Sequence, residues 1–449
     1  QKRELVMLKK KTYSGIQSVF SATSKGLNNT GIVLLITVIV AMVWANSPWQ
    51  EIYRSLMRMD ISFTIGGFEI TEPLLLWIND GLMALFFLLV GLELKREILG
   101  GKLSTPQNAI LPIGAAIGGM VFPALLYFLF NTAGEASQGW GIPMATDIAF
   151  SLGVLALFGK GLPIALRVFL VTLAVVDDLG GVLVIALFYT SGISTMDLFH
   201  GLLFFALLII GNYAGIRKTW FYAIIGIGGV WLAFFFSGIH PTIAGILTAI
   251  AIPGRVKIKE DTFLKRLSNL HARFIKIKPV KGTLISNEQL EVLEEIKKTS
   301  SEAETPLQKL EKSLSPIVNF MVLPLFTLAN AGIHLHGEVG RVLLNPVSLG
   351  IGAGLVLGKF VGIVSFTRIL VAFKLAKLPD RVNWNQIYGI AFLGGIGFTM
   401  SLFINELAFT NEEFIYTAKV SILFASLIAG TIGSIILFKN TEKLKIKKI

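Results

Sequence analysis

Apolar residues along this chain gather in long runs parted by short polar breaks, instead of alternating or recurring at helical spacing on one face. A helix needs about 20 apolar residues to cross a hydrocarbon layer roughly 30 Å thick. Runs near that length recur at 31–47, 73–94, 108–130, 138–159, 163–189, 197–213, 219–236, 241–253, 316–333, 344–370, 384–409 and 413–437. The pattern predicts an all-α polytopic membrane protein of about twelve transmembrane helices, because a lipid-exposed backbone must satisfy its hydrogen bonds within the segment. The chain then divides into an N-terminal tail (1–30), spans one to eight (31–253), a long polar loop (254–315), spans nine to twelve (316–438) and a basic tail (439–449).

Two of the runs carry helix breakers in mid-course. The fourth is interrupted around Gly141-Ile142-Pro143 and the eleventh around Leu393-Gly-Gly-Ile-Gly-Phe-Thr-Met400. Backbone groups freed at membrane depth are tolerated only where they line a cavity or are enclosed by protein. Each break falls in the second member of a three-span unit, spans three to five and ten to twelve, which is the pattern of inverted repeats with two discontinuous crossing helices. Close packing of glycine is the plainer reading of either break.

Composition agrees with the runs: 53% of residues are hydrophobic, 15% are charged and the mean hydropathy is +0.71, more apolar surface than a soluble core could bury. With no cysteine, disulfides and thiolate chemistry are excluded. Residues 1–29 are basic and polar, without an apolar stretch ending at a small-residue cleavage site, so no cleaved leader is expected in them.

Charge placement orients the runs. With both termini cytoplasmic, thirty-five of the forty Lys and Arg fall on the inner side, while Arg54, Arg58, Arg341 and Lys419 face out. Setting aside the thirteen in the long loop, where the rule is weak, leaves 22 against 4. The net charge of +12 therefore reflects topology and attraction to anionic headgroups, not nucleic-acid binding.

The fortieth basic residue, Lys359, sits inside the run Gly352–Ile363, where insertion costs about 2.5–3.5 kcal/mol. Its candidate partners are Asp147, Asp177 and Asp178. The adjacent pair lies near the midpoint of the fifth run, and two aspartates at that depth cost roughly 5–7 kcal/mol. Anchoring helices together would need only one polar residue. Two carboxylates offer hard oxygen ligands to a partly dehydrated monovalent cation, and the same oxygens take protons. Competition for one site is an exchange mechanism.

Rival functions use similar parts. An intramembrane aspartyl protease draws its two acids from different helices so that they share a water, whereas adjacent residues on one helix point about 100° apart; its Gly-x-Gly-Asp signature is also absent. A cation channel or an organic-anion symporter remains open at this stage, although three nearby acids would repel an anion.

The strings Trp77-Ile-Asn-Asp-Gly-Leu-Met-Ala-Leu-Phe-Phe-Leu-Leu-Val-Gly-Leu-Glu-Leu-Lys-Arg-Glu97, Ala145-Thr-Asp-Ile-Ala-Phe-Ser-Leu-Gly-Val-Leu-Ala-Leu157, Asp177-Asp-Leu-Gly180, Ser237-Gly-Ile-His240, Leu323-Pro-Leu-Phe326, Gly358-Lys359 and Gly395-Ile-Gly-Phe-Thr-Met-Ser401 closely resemble the NhaA family of sodium/proton antiporters. The resemblance covers about residues 30–440 in the family's order. It implies a secondary transporter, not an enzyme, with no cofactor, exchanging Na+ or Li+ for H+ across a bacterial inner membrane. It also implies electrogenic exchange, activation at alkaline pH and room for a homodimer in the bilayer. By the same resemblance Asp177 and Asp178 are the ion- and proton-binding pair, with Asp178 standing first as the cation ligand. Asp147 and Thr146 lie beside the crossing of the broken helices, and Lys359 pairs with Asp177.

Glu93 and Glu97, with Lys95 and Arg96 between them at the inner end of the second span, match the family's pH-response cluster. The plainer reading is a charged helix end at the headgroups, and Asp80 near the other end reads likewise as interfacial. Of the histidines His200, His240, His271, His334 and His336, His240 alone falls where the family pattern has one; it reads equally well as a turn residue. Where members of the family carry histidines shortly before the ninth span, this sequence has Glu311-Lys-Ser-Leu-Ser315. The loop 254–315, longer than usual for the family, holds thirteen basic and nine acidic residues, and Glu288–Lys298 within it reads as a short polar helix in a solvated insertion.

Overall fold

The structure, a computed structural model, describes residues 30–65, 68–159, 161–190, 192–277, 284–335 and 339–446. The tail 1–29, His336 and residues 447–449 lie outside the described residues. Among those described, eight helices are long and apolar enough to cross a membrane: Leu74–Gly100, Pro106–Phe130, Ile164–Phe188, Thr195–Tyr213, Thr219–Ser237, Pro306–Asn330, Pro346–Ala372 and Glu412–Asn440. Three further apolar pairs bend at short breaks: Thr30–Ala45 with Gln50–Met57 by 111°, Glu135–Met144 with Ile148–Phe158 by 42°, and Trp384–Leu393 with Phe398–Ala408 by 44°. That makes up to eleven spans by length and composition. The run at 241–253 forms the helix Thr242–Ala251, whose 10 residues reach about 15 Å, half a hydrocarbon layer. Pro241 and Pro253 bound it.

Two features depart from the hydropathy reading. After Gln50–Met57 the chain makes an antiparallel hairpin, Asp60–Ile65 with Phe68–Pro73, in which Asp60 faces Pro73 and Ile65 faces Phe68. Its first strand alternates Ile61, Phe63 and Ile65 with Ser62 and Thr64, a period of two that a search for long runs passes over. The ninth helix begins at Pro306, ten residues before its apolar run. A capping box between Thr305 and Gln308 starts it, with Pro306 at the first helical position. Its first turns are polar, so hydropathy registers it late. The 254–315 stretch thus holds Glu260–Lys276, Asn287–Ala303 and the opening turns of the ninth helix.

Close contact between two spans sets the depth of Lys359. The helix Pro346–Ala372 loosens into a π-helical turn over Gly354–Gly358 and lies against Pro106–Phe130. A Cβ on Gly358 would stand 2.7 Å from Pro123 Cα, and one on Gly362 would stand 2.0 Å from Gly118 O. Only glycine lets the backbones approach so closely. The lysine between them is fully buried. The largest apolar core among the described residues is built from all three bent pairs and helices that include Pro106–Phe130, Ile164–Phe188, Pro346–Ala372 and Glu412–Asn440.

Candidate functional site

The fourth span breaks slightly later than its Gly-Pro signal. Glu135–Met144 winds as a 3-10 helix, Ala145 to Asp147 leave helical geometry, and Ile148 restarts the α-helix. In the eleventh, Gly394 to Gly397 form the gap before Phe398. The two gaps meet, and the freed backbone groups are satisfied across them. Asp147 N–H donates to Ile396 O at 2.7 Å. The Thr146 hydroxyl donates to Gly394 O at 2.7 Å, Ser151 to Leu393 O at 2.8 Å and Ser401 to Ile142 O at 2.8 Å. Water is not needed to pair these groups, which is what allows them to lie at membrane depth.

Asp147 joins the two halves most directly. It is the N-cap of Ile148–Phe158, where Oδ1 accepts from Phe150 N–H at 2.8 Å. Its Oδ2 accepts from Thr399 N–H at 3.1 Å and from the Thr399 hydroxyl at 2.5 Å. The cap residue of Phe398–Ala408 is Gly397, which has no side chain to offer, so Asp147 supplies that cap from the other span. One negative charge thus faces two helix N-termini, where the backbone dipoles favour it. Thr399 was not singled out by sequence reasoning; it sits within the Gly395–Ser401 motif, but its role depends on a residue 252 positions away.

Asp177 and Asp178 project from the unbroken helix Ile164–Phe188 and are both buried, at 2% exposure. Asp177 Oδ2 accepts from Lys359 Nζ at 2.5 Å, and the Thr146 hydroxyl lies beside the same carboxyl. The other Asp177 oxygen and both Asp178 oxygens have no hydrogen-bond donor among the described residues. Buried polar atoms in native proteins are almost always paired, so three unpaired carboxylate oxygens in one place call for a function. Asp178 lies within electrostatic range of Asp177, Asp147, Lys359 and Glu93. No group of three or more His, Cys, Asp or Glu among the described residues is arranged to hold a metal.

Sequence reasoning put Glu93 and Glu97 at one helix end, and the structure adds a partner from another span. Arg96 bonds Glu311 and lies 3.2 Å from Glu97 Oε1, while Glu93 is half-buried one turn nearer the aspartates. Lys95 turns aside to cap the short eighth helix, donating to Ile250 O at 2.6 Å and also to Ile252 O. Glu311 thus occupies the stretch where histidines were expected from the resemblance. His240 stands apart from both clusters. Its Nε2 meets Tyr189 O at 2.9 Å, so that nitrogen is the donor, and burial holds the imidazole below its ordinary pKa while the carbonyl acts in the opposite sense. Tyr189 in turn donates to Gln138 O at 2.6 Å, so His240 is linked through Tyr189 to the Glu135–Met144 half of the broken fourth span. Asp80 lies in a π-helical turn of the second span, where its carbonyl accepts from Trp231 Nε1 at 3.1 Å, away from the paired acids.

Residues 22–437 match the family described as Na+/H+ antiporter 1. The chain is 44% identical over 406 residues to the Na(+)/H(+) antiporter NhaA of Oleidesulfovibrio alaskensis, covering 90% of this chain and 89% of that protein. It is 44% identical over 412 residues to the Na(+)/H(+) antiporter NhaA of Koribacter versatilis, covering 92% and 89%. With the Na(+)/H(+) antiporter NhaA 1 of Clostridium beijerinckii it shares 41% over 443 residues, 97% of this chain and all 100% of that protein.

Proposed function

We propose, on the premise that this chain belongs to the Na+/H+ antiporter 1 family, that it exchanges Na+ or Li+ for H+ across a bacterial inner membrane through competition at Asp177 and Asp178. It is a multi-pass membrane transporter and not an enzyme. The observation that carries the mechanism is the trio of buried oxygens on the two acids, without a hydrogen-bond donor among the described residues, beside the buried Lys359.

With the acids ionised, both Asp178 oxygens and the free Asp177 oxygen form the cation's ligands, and Lys359 balances the remaining charge. Protons arriving from the other side occupy those oxygens and expel the cation. Two carboxylates can carry more protons than monovalent cations, so a cycle that uses both moves net charge and is electrogenic. Asp147 and Thr146 support the site through the junction of the broken helices. Their hydrogen bonds to Phe150, Thr399 and Gly394 hold that junction together. Alkaline activation fits the cluster of Glu93, Arg96, Glu97 and Glu311 at the inner end of the second span, with both termini on that same cytoplasmic side. His240 belongs to the outer scaffold in this reading.

Flux in everted vesicles tests the reading. Added Na+ should collapse a preformed pH gradient, and Asp178→Asn, present in the membrane at wild-type level, should abolish that response. Na+ uptake without proton movement would make the protein a channel, and sodium-dependent proton flux in Asp178→Asn would remove the pair from the mechanism.

A further inference from the structure

Glu260–Lys276 and Asn287–Ala303 fold against each other as a hairpin outside the spans. Its base is tied to the membrane body. Arg217 donates to Arg255 O at 2.7 Å and to Glu304 O at 3.4 Å, Lys257 N–H to Glu302 O at 3.2 Å, and Leu307 N–H to Pro253 O at 3.2 Å. Arg217 itself stands between Tyr213 and Trp220, both exposed, and Tyr and Trp collect where a bilayer meets water. The hairpin therefore leaves the protein at headgroup level.

Its two edges differ in chemistry. On one edge Arg273 pairs with Glu291 and Glu295, and Arg266 and Lys257 pair with Glu302. On the other, Leu264, Leu267, His271 and Phe274 with Leu293 and Ile296 line an open groove of about 500 Å³. Leu264 and Ile275 remain 54% and 67% exposed, as does Leu290, at 50%, one turn before Leu293. Successive residues on a helix are rotated by about 100°, so the residue after each edge position stands at the rim. Those residues include Lys265 after Leu264, Lys276 after Ile275 and Lys297 after Ile296; the acids among them are Glu294, after Leu293, and Glu291, after Leu290, whose carboxylate pairs with Arg273. Three of the seven acids on the two helices, Glu291, Glu295 and Glu302, are thus paired on the far edge, while three lysines border the apolar one.

We propose that this apolar edge lies on the anionic headgroup surface of the bilayer that holds the spans, with Leu264, Ile275 and Leu290 entering the headgroup–acyl boundary and Lys265, Lys276 and Lys297 meeting lipid phosphates. An apolar stripe rimmed by lysines is the pattern of helices that rest in the membrane interface. The surface is also within reach, since Glu260–Lys276 extends only about 26 Å from a base already at headgroup level. The inference rests on the spans being membrane-embedded and is independent of which ions are exchanged.

The chain has no cysteine, so single-site labels are clean. Full-length protein carrying a spin label at Leu264→Cys, Ile275→Cys, Leu290→Cys or, on the far edge, Glu288→Cys would be reconstituted in vesicles of phosphatidylethanolamine and phosphatidylglycerol. Collision rates with oxygen, which partitions into lipid, and with a water-soluble nickel chelate would then be compared. The first three labels should favour oxygen and the fourth the nickel chelate. Combining Lys265→Glu, Lys276→Glu and Lys297→Glu should shift the three edge labels to the water-exposed ratio while Na+/H+ exchange in the same vesicles shows the protein folded. Edge labels as open to nickel as Glu288→Cys would overturn the proposal. So would edge labels shielded from both reagents, which would mean that the tail 1–29 or a second copy covers the edge, or labels that stay in lipid after the three charge reversals.

Discussion

A lysine with no solvent exposure, 2.5 Å from an aspartate in mid-membrane, is stable only as half of a pair. Removing the ammonium leaves Asp177 as an uncompensated buried charge, and breaking a buried pair in that way costs about 3–5 kcal/mol. Lys359→Ala should therefore lower the thermal midpoint of the detergent-solubilised protein markedly, and Lys359→Ala combined with Asp177→Asn should recover most of the loss. A single variant that melts like wild type would show that the pair does not hold the fold. These residues were legible in the sequence because lipid makes every ionisable group inside a long apolar run expensive, so Asp147, Asp177, Asp178 and Lys359 stood out one by one. Their partners were less so. Thr399 meets Asp147 across 252 positions and Glu311 meets Arg96 across 215, and a hydroxyl or a glutamate at a helix end carries no cost that would mark it beforehand.

Among the elements, the two interrupted spans depend on each other. Backbone groups at each break are satisfied by the other, and because Gly397 cannot cap Phe398–Ala408, Asp147 takes the Thr399 N–H and Ser426 of the last helix the Phe398 N–H. Thr399→Val keeps the side-chain shape and the backbone N–H but removes the 2.5 Å hydroxyl bond to the buried carboxylate. The expected loss is about 1–3 kcal/mol of stability, with slower Na+-dependent proton flux, since the junction supports the acids. Thr399→Ser should restore both. Equal melting and flux for the valine variant, the serine variant and wild type would show that the hydroxyl does not hold the junction. Apolar runs located the spans because length and composition alone specify them, and Gly-Pro and Gly-Gly clusters located the interruptions to within a few residues. The β-hairpin and the polar start of the ninth helix escaped, because one follows a period of two and the other is fixed by the Thr305–Gln308 capping box outside the apolar run.

For the molecule as a whole, using one set of oxygens for two cations ties affinity to pH. If protons and Na+ exclude each other at Asp177 and Asp178, each proton that must leave before Na+ binds changes the apparent dissociation constant by up to about tenfold per pH unit. Two coupled groups approach about a hundredfold per unit over a narrow window. The sign is fixed: Na+ binds the deprotonated site, so its apparent affinity falls as pH falls through the range in which the pair takes up protons, and levels off above it. No histidine is required, in keeping with Glu311 occupying the place before the ninth span and with His240 being bound to Tyr189 O away from the acids. Measuring the Na+ half-saturation constant of proton flux from pH 6 to pH 9 separates two mechanisms. A constant that rises steeply on acidification places the response in the aspartates themselves. A constant that holds steady while only the maximal rate changes would place it instead in the Glu93, Arg96, Glu97 and Glu311 cluster, acting as a gate, and Arg96→Gln should then shift the rate profile without moving the affinity.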